Sequence, residues 1–218
     1  ARHNPEFTML EAYQAYGDQF SMMELTRQII LDAARAVGNT QVTGRDGSII
    51  DLEAEWRLAP IYELVSEALD TEITIDTSAD ELRQQAAKHE VELQPKWGAA
   101  EIVVELYEQL CEHKLINPTF VMDFPAEVKP LAKGHRSKPG INEAWDLIIN
   151  GVELVAAYSE LNDPVVQRER LTAQSLLAAQ GDPEAMELDE VFLKTMEYGM
   201  PPAGGMGMGV DRLIMLLT

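Results

Sequence analysis

Asn150-Gly151 stands between two apolar runs, Ala144-Trp-Asp-Leu-Ile-Ile149 and Val152-Glu-Leu-Val-Ala-Ala-Tyr158. A two-residue loop with positive φ at both positions suits this dipeptide and matches the twist of an antiparallel pair, so the segment is committed to a β-hairpin. Other strands read at Phe7–Tyr16, Gln41–Thr43 paired with Ile49–Leu52, and Thr119–Phe124. Helices read from a Ser21 cap with Glu24 to Gly38, over residues 60–70, from Ser78 with Glu81, from Gly98 to about Glu112, from Asp163 to about Gln180, and from Asp189 to Gly199. The predicted fold class is α+β, an antiparallel sheet flanked by helices, with a helical insertion over about 60–113. No linker or repeat divides residues 1–218, which read as one domain. The strand at Phe7 has no preceding partner, so the chain is expected to begin inside a hairpin.

The second constraint lies at the far end. Gly205, Gly207 and Gly209 alternate, then Val210-Asp211-Arg212 opens an apolar helical tail. A strand with no Cβ on one face lets a flat group or a second backbone approach closely. An arginine directly after it offers a planar fork for phosphate or a stacking surface for a ring. A glycine-rich turn capping a core helix explains the same residues.

Charge narrows the partners. Seventeen Lys+Arg against 37 Asp+Glu give a net charge of −20. Such a chain repels phosphate backbones, so any nucleic-acid contact is expected mainly outside these residues. The single cysteine, Cys111, excludes a disulfide framework and a cysteine metal site, and its apolar helical setting reads as inert core. No run is long enough for a membrane span, and a cytoplasmic setting is expected.

Carboxylates in strands are the chemical signal. Glu11 shares a strand face with Phe7, Met9 and Tyr13. It either points to water from an edge strand or, with the Tyr13 hydroxyl, receives a cationic group such as an ammonium. Glu153 and Glu160 are seven residues apart, an odd spacing that puts them on opposite faces unless a bulge intervenes. Brought together they would hold Mg²⁺ with substrate phosphates; apart, Glu153 is solvated and Glu160 helps cap the following helix. His3, without a companion at metal-ligand spacing, suits a phosphate contact. No nucleophile and base pair stands out.

Three ordered segments carry a resemblance over essentially the whole chain. Arg2-His-Asn-Pro-Glu-Phe-Thr-Met-Leu-Glu-Ala-Tyr13 resembles the second half of motif 2 of class II aminoacyl-tRNA synthetases in its lysyl version. Val152-Glu-Leu-Val-Ala-Ala-Tyr-Ser-Glu-Leu-Asn-Asp163 is similar to that family's ATP- and lysine-binding strand, and Gly205-Met-Gly-Met-Gly-Val-Asp-Arg212 to motif 3. Phe124-Pro-Ala-Glu-Val-Lys-Pro-Leu-Ala-Lys133 fits the same pattern.

The resemblance implies a lysine–tRNA ligase catalytic domain, with ATP and Mg²⁺ as cofactors, lysine and tRNA(Lys) as partners, and a homodimer. Lysine would attack the α-phosphate of ATP, and the lysyl group would pass to the tRNA 3′ end. No protein nucleophile is needed; positioning and charge neutralisation suffice. By the resemblance, Phe7 stacks on adenine, with Arg212 on its other face or near the γ-phosphate. His3, Asn4 and Gly209 border the nucleotide. Glu11, Tyr13 and Glu160 read the lysine ammonium, and Glu153 and Glu160 hold Mg²⁺. Arg212, Glu153 and Glu160 are the expected catalytic groups.

The family's motif 2 arginine, motif 1 and anticodon-binding domain would lie upstream, so this chain alone is expected to be inactive or nearly so. The family's usual Gly-Arg-Glu-Ile-Gly-Asn-Gly-Phe reads here Gly151-Val-Glu-Leu-Val-Ala-Ala-Tyr158, with Ala156 and Ala157 replacing an asparagine and a glycine. Three other readings stay open: the synthetase-like part of a lysyl-phosphatidylglycerol synthetase, a paralogue that lysylates elongation factor P, and a non-catalytic ligand-binding domain.

Overall fold

The computed structural model describes residues 5–179 and 188–218. Eight strands run in chain order: β1 (Met9–Ala15), β2 (Gln41–Thr43), β3 (Ile49–Asp51), β4 (Arg57–Pro60), β5 (Thr119–Met122), β6 (Ala144–Ile149), β7 (Val152–Ser159) and β8 (Ala203–Gly209). Among the described residues seven α-helices accompany them: α1 (Gln19–Val37), α2 (Ile61–Leu69), α3 (Ala79–Lys88), α4 (Ala99–Leu110), α5 (Pro164–Ala179), α6 (Glu190–Glu197) and α7 (Val210–Leu217), with a 3₁₀ turn at Glu112–Lys114 after α4. The main sheet has the order β1-β8-β7-β6-β5-β4, and β2 with β3 forms a separate hairpin. All neighbours in the main sheet are antiparallel except β4 and β5. The α+β expectation holds. The parallel strand β4 is an addition, since four residues ending in proline carry no strand periodicity.

Positive φ at Asn150 (58°) and Gly151 (66°) closes the β6–β7 hairpin as the dipeptide requires. The register then slips. Leu147 faces Val155 but Ile148 faces Glu153, so Leu154 is the extra residue of a bulge. That bulge turns Glu153 onto the face that carries Ala156, Tyr158 and Glu160.

Helix α1 begins earlier than the Ser21 cap expected. Asp18 is the N-cap, accepting from the Phe20 and Ser21 amides at 3.0 and 3.2 Å, while the Asp18 amide donates to Ser21 Oγ at 2.9 Å. The carboxylate takes the cap because it satisfies two orphan amides, and Ser21 becomes its reciprocal partner. The buried stripe is Met22, Thr26, Ile30, Leu31 and Ala34, flanked by the partly buried Met23, Leu25, Ile29 and Ala33. Removing the cap by Asp18→Ala should cost about 1 kcal/mol, lowering the melting temperature by roughly 2–4 °C in thermal denaturation.

Two apolar clusters sit on opposite faces of the sheet. Helix α1 and the Leu213, Leu216 and Leu217 side of α7 cover one face, with Trp145, Leu147, Val155, Met206 and Met208 beneath them. Helices α2, α3 and α4 cover the other face, but only over β4, β5 and β6, through Ala59, Val121 and Ile148. The insertion expected over 60–113 is therefore a lid on half a sheet. Over β1, β8 and β7 that second face stays open. Among the described residues no helix is long and apolar enough to cross a membrane.

Candidate active site

The open half-face forms a cavity of about 470 Å³. β1 contributes Met9, Glu11 and Tyr13, β8 contributes Gly205, Gly207 and Gly209, and β7 contributes Glu153, Ala156 and Tyr158 with Glu160 just beyond. Register explains the convergence: Tyr13, Gly205 and Tyr158 lie in one row across three strands, and Glu11, Gly207 and Ala156 in the next. The face of β1 that carries Glu11 is the cavity face, with Tyr13 67% exposed; Leu10 and Ala12 on its other side pack on the core. The alternating glycines are therefore a wall of the cavity. A Cβ on Gly205 would lie 1.9 Å from Glu160 Oε1 and 2.8 Å from the Tyr13 ring.

One end is built for a cation. Tyr13 Oη donates to Glu11 Oε2 at 3.2 Å. Burial, then the charges of Glu11 and Glu160, push the Tyr13 phenol up, and Tyr158 is pushed up to about 12 by burial and then Glu160. Burial pushes the Glu160 carboxyl up to about 7. Its side chain has no hydrogen-bond or ion-pair partner among the described residues. A desolvated carboxylate beside a second carboxylate and two phenols has the chemistry to receive an ammonium group.

The other end is built for an anion with its counter-ion. Arg212 hydrogen-bonds the Glu153 carbonyl through Nη1, with the Glu153 carboxylate at 3.9 Å, and is the one cationic side chain among the described lining residues. Gly209 is the N-cap of α7, and the Arg212 side chain folds against it. Phe7 lines this cavity and is 66% exposed. Its chain segment is held by the Thr8 amide on Asp211 Oδ2 at 2.7 Å and by the Val210 amide on the Thr8 carbonyl at 3.0 Å. Glu153 is held above the usual carboxylate range by burial and then by Asp146, while Lys129 and Arg212 oppose the rise. A carboxyl so placed suits one further cation.

The bulge on which a shared face for Glu153 and Glu160 depended is present at Leu154, and both line the cavity. They do not converge on one ion. At about 3.3 Å per extended residue their Cα atoms lie roughly 20 Å apart, farther than two glutamates can close on a metal whose ligands sit about 2.1 Å away. The carboxylate that acts on Glu153 is Asp146, its diagonal neighbour on β6. Asp146 was missed although it carries the signal that marked Glu11 and Glu153, a carboxylate in an apolar strand. Asp211 was missed as a tether because its partner lies 203 residues away. His3 and Asn4 lie outside the described residues. Cys111 is buried, its thiol pushed up to about 11 by burial, as an inert core residue should be.

Comparison with known proteins agrees with this architecture. The family described as tRNA synthetases class II (D, K and N) matches residues 1–218. The chain is 52% identical over 221 residues to a protein of Gordonia bronchialis named "Lysylphosphatidylglycerol biosynthesis bifunctional protein LysX", covering 99% of this chain and 19% of that protein. Proteins of the same name match from Nocardia farcinica (51%, covering 99% and 20%) and Mycobacterium leprae (48%, covering 99% and 20%). The chain thus spans about a fifth of the length of these relatives. Their name differs from the lysine–tRNA ligase expected first and agrees with the lysyl-phosphatidylglycerol alternative.

Proposed function

The chain belongs to the class II tRNA synthetase family (D, K and N), and from that premise we propose that it is the lysine-activating part of a protein that makes lysylphosphatidylglycerol. The observation that carries this is the division of one cavity into an ammonium end and a phosphate end. Glu11, Tyr13 and Glu160 hold the lysine side-chain ammonium. Phe7, Gly209 and Arg212 hold the nucleotide. Glu153, backed by Asp146, fits Mg²⁺, which would neutralise phosphate charge when bound. Placing Glu160 at the lysine end and Glu153 at the phosphate end replaces the shared metal site with two separate tasks.

The chemistry follows from that placement. A lysine carboxylate oxygen attacks the α-phosphorus of ATP, the bond to pyrophosphate breaks, and lysyl-adenylate forms. The protein orients the two reactants and screens their like charges, while Arg212 meets the charge that develops on phosphate. An acceptor hydroxyl then attacks the lysyl carbonyl and AMP leaves. A lysyl ester of a lipid needs an activated carboxyl, and this site supplies one; a tRNA 3′ hydroxyl is the proposed first acceptor. The relatives' shared name supports the lipid as the final destination.

Labelled lysine given to the intact protein with ATP, tRNA and phosphatidylglycerol vesicles should appear in the lipid. Label that stops at tRNA restores the ligase reading, and label in neither contradicts both. Glu11→Gln should weaken lysine binding about 10–100-fold by calorimetry, with ATP binding nearly unchanged. Equal losses for both ligands would contradict the role given to Glu11.

A further inference from the structure

Glu160 meets the cavity with no side-chain partner among the described residues, so whatever aims it must act from behind the strand. Ser159, the last residue of β7, points to the opposite face, as alternation requires. Its Oγ accepts from the Gln19 amide at 3.0 Å and donates to Glu143 Oε2 at 2.7 Å. Glu143, just before β6, is only 2% exposed. Its two carboxylate oxygens accept from the Arg136 guanidinium, in the loop between β5 and β6, at 2.7 and 3.2 Å. Arg136 also reaches the Asp18 carboxylate at 3.5 Å, joining the loop to the start of α1. Across the ladder from Ser159 lies Gly204, where a Cβ would stand 2.6 Å from the Asp18 carbonyl oxygen, so the first turn of α1 presses on the back of both strands. Neither Ser159, Glu143 nor Arg136 lines the cavity.

We propose that Glu143 and Ser159 are positioning residues that hold Glu160 toward the ammonium end. The inference rests on the reading of Glu160 as counter-ion to the substrate ammonium. A desolvated carboxylate without a partner gains by turning toward water, and the receptor is lost if it does. The regular ladder ends at Ser159; beyond it the Glu160 amide donates to the Ala203 carbonyl at 2.8 Å and only an isolated bridge links Glu160 to Ala132. An anchor at Ser159 therefore decides where the next side chain points. A hydroxyl with both its donor and its acceptor engaged supplies that anchor. Burial alone would raise the Glu143 carboxyl, but Arg136 and the Ser159 hydroxyl hold it below the usual range. It stays charged, and a charged acceptor holds the hydroxyl more strongly than a neutral one.

Calorimetry of the intact protein with lysine and with norleucine, which lacks only the ammonium, reads the placement of Glu160 and not the stability of the fold. The wild type should prefer lysine, and Glu160→Gln should cut that preference at least about 100-fold. Ser159→Ala should cut it about tenfold, with ATP binding unchanged. Glu143→Gln should act in the same direction, because its single acceptor oxygen cannot serve both the Arg136 fork and the hydroxyl. In a Glu160→Gln background neither change should lower the preference further, since the group they position is gone. Circular dichroism checks folding, and Glu143→Gln, which keeps the side-chain shape, serves if Ser159→Ala does not fold. Folded variants that keep the wild-type preference, or losses that add in full to that of Glu160→Gln, overturn the proposal. If Glu160→Gln itself keeps the preference, the ammonium reading falls and the positioning role falls with it. If Glu160→Gln loses it while Ser159→Ala and Glu143→Gln keep it, only the positioning role falls.

Discussion

Glu160→Gln is expected to make this chain more stable at pH 8 while lowering its lysine affinity at least about 100-fold. The two effects share one cause. The carboxyl, ordinarily titrating near 4.5, is pushed up to about 7 by burial. Below about pH 4.5 it is protonated in both folded and unfolded chains and costs nothing. Between about 4.5 and 7 the unfolded chain ionises first and stability falls; above 7 the full cost is present. A shift of this size corresponds to about 3 kcal/mol, so the neutral glutamine should raise the melting temperature by roughly 5–10 °C at pH 8. Near pH 4 the variant should gain almost nothing. In the wild type, lysine affinity should fall as pH drops below 7, approaching tenfold per unit, because the empty site takes up the proton that an ammonium must displace. A variant equally stable to the wild type at pH 8 would show that Glu160 has a partner that offsets its burial. Such a variant with unimpaired lysine binding would remove Glu160 from the site.

The second large effect is at Gly205. Alanine there would place a methyl 1.9 Å from Glu160 Oε1 and 2.8 Å from the Tyr13 ring, so both must move. Glu160 offers the far end of a flexible side chain and Tyr13 stands on an exposed edge strand, so the fold should lose no more than about 1–2 kcal/mol. Lysine binding should drop at least about 100-fold by calorimetry, because the carboxylate and phenol leave the positions that meet an ammonium. Gly207→Ala is the internal contrast, since its Cβ would meet only the Met9 methyl at 3.4 Å, an ordinary contact. It should leave Glu160 and Tyr13 in place. If the two variants lose lysine equally, the glycines matter for cavity volume alone and the argument from Gly205 fails.

Much of this site could be read from residues because its signals are local. Asn150-Gly151 fixed the hairpin, and the odd spacing of Glu153 and Glu160 made a shared face conditional on a bulge, which stands at Leu154. The structure pairs β1 with the glycine strand β8 in the register Met9 to Gly209, bringing together the two segments that resemble motifs 2 and 3. What stayed hidden depends on contacts between distant segments. Lys129 and Asp146 are 17 residues apart in a loop and a strand, and neither neighbourhood announces an ion pair. Asp18 and Ser21 could each cap α1 on local chemistry, and only the backbone decided. The exposed face of β1 could not be told from a core face, because its openness comes from α2, α3 and α4 covering β4 to β6 and no further. The shared metal site failed for a simpler reason: a bulge restores a common face but does not shorten the strand.

Lysine-dependent exchange of pyrophosphate into ATP by the intact protein tests the central claim most directly, because it reports adenylate formation without any acceptor. Among the twenty amino acids, lysine should support exchange, and Glu160→Gln should abolish it at pH 7.5. Absence of lysine-dependent exchange, or exchange that favours an uncharged amino acid, would contradict the account.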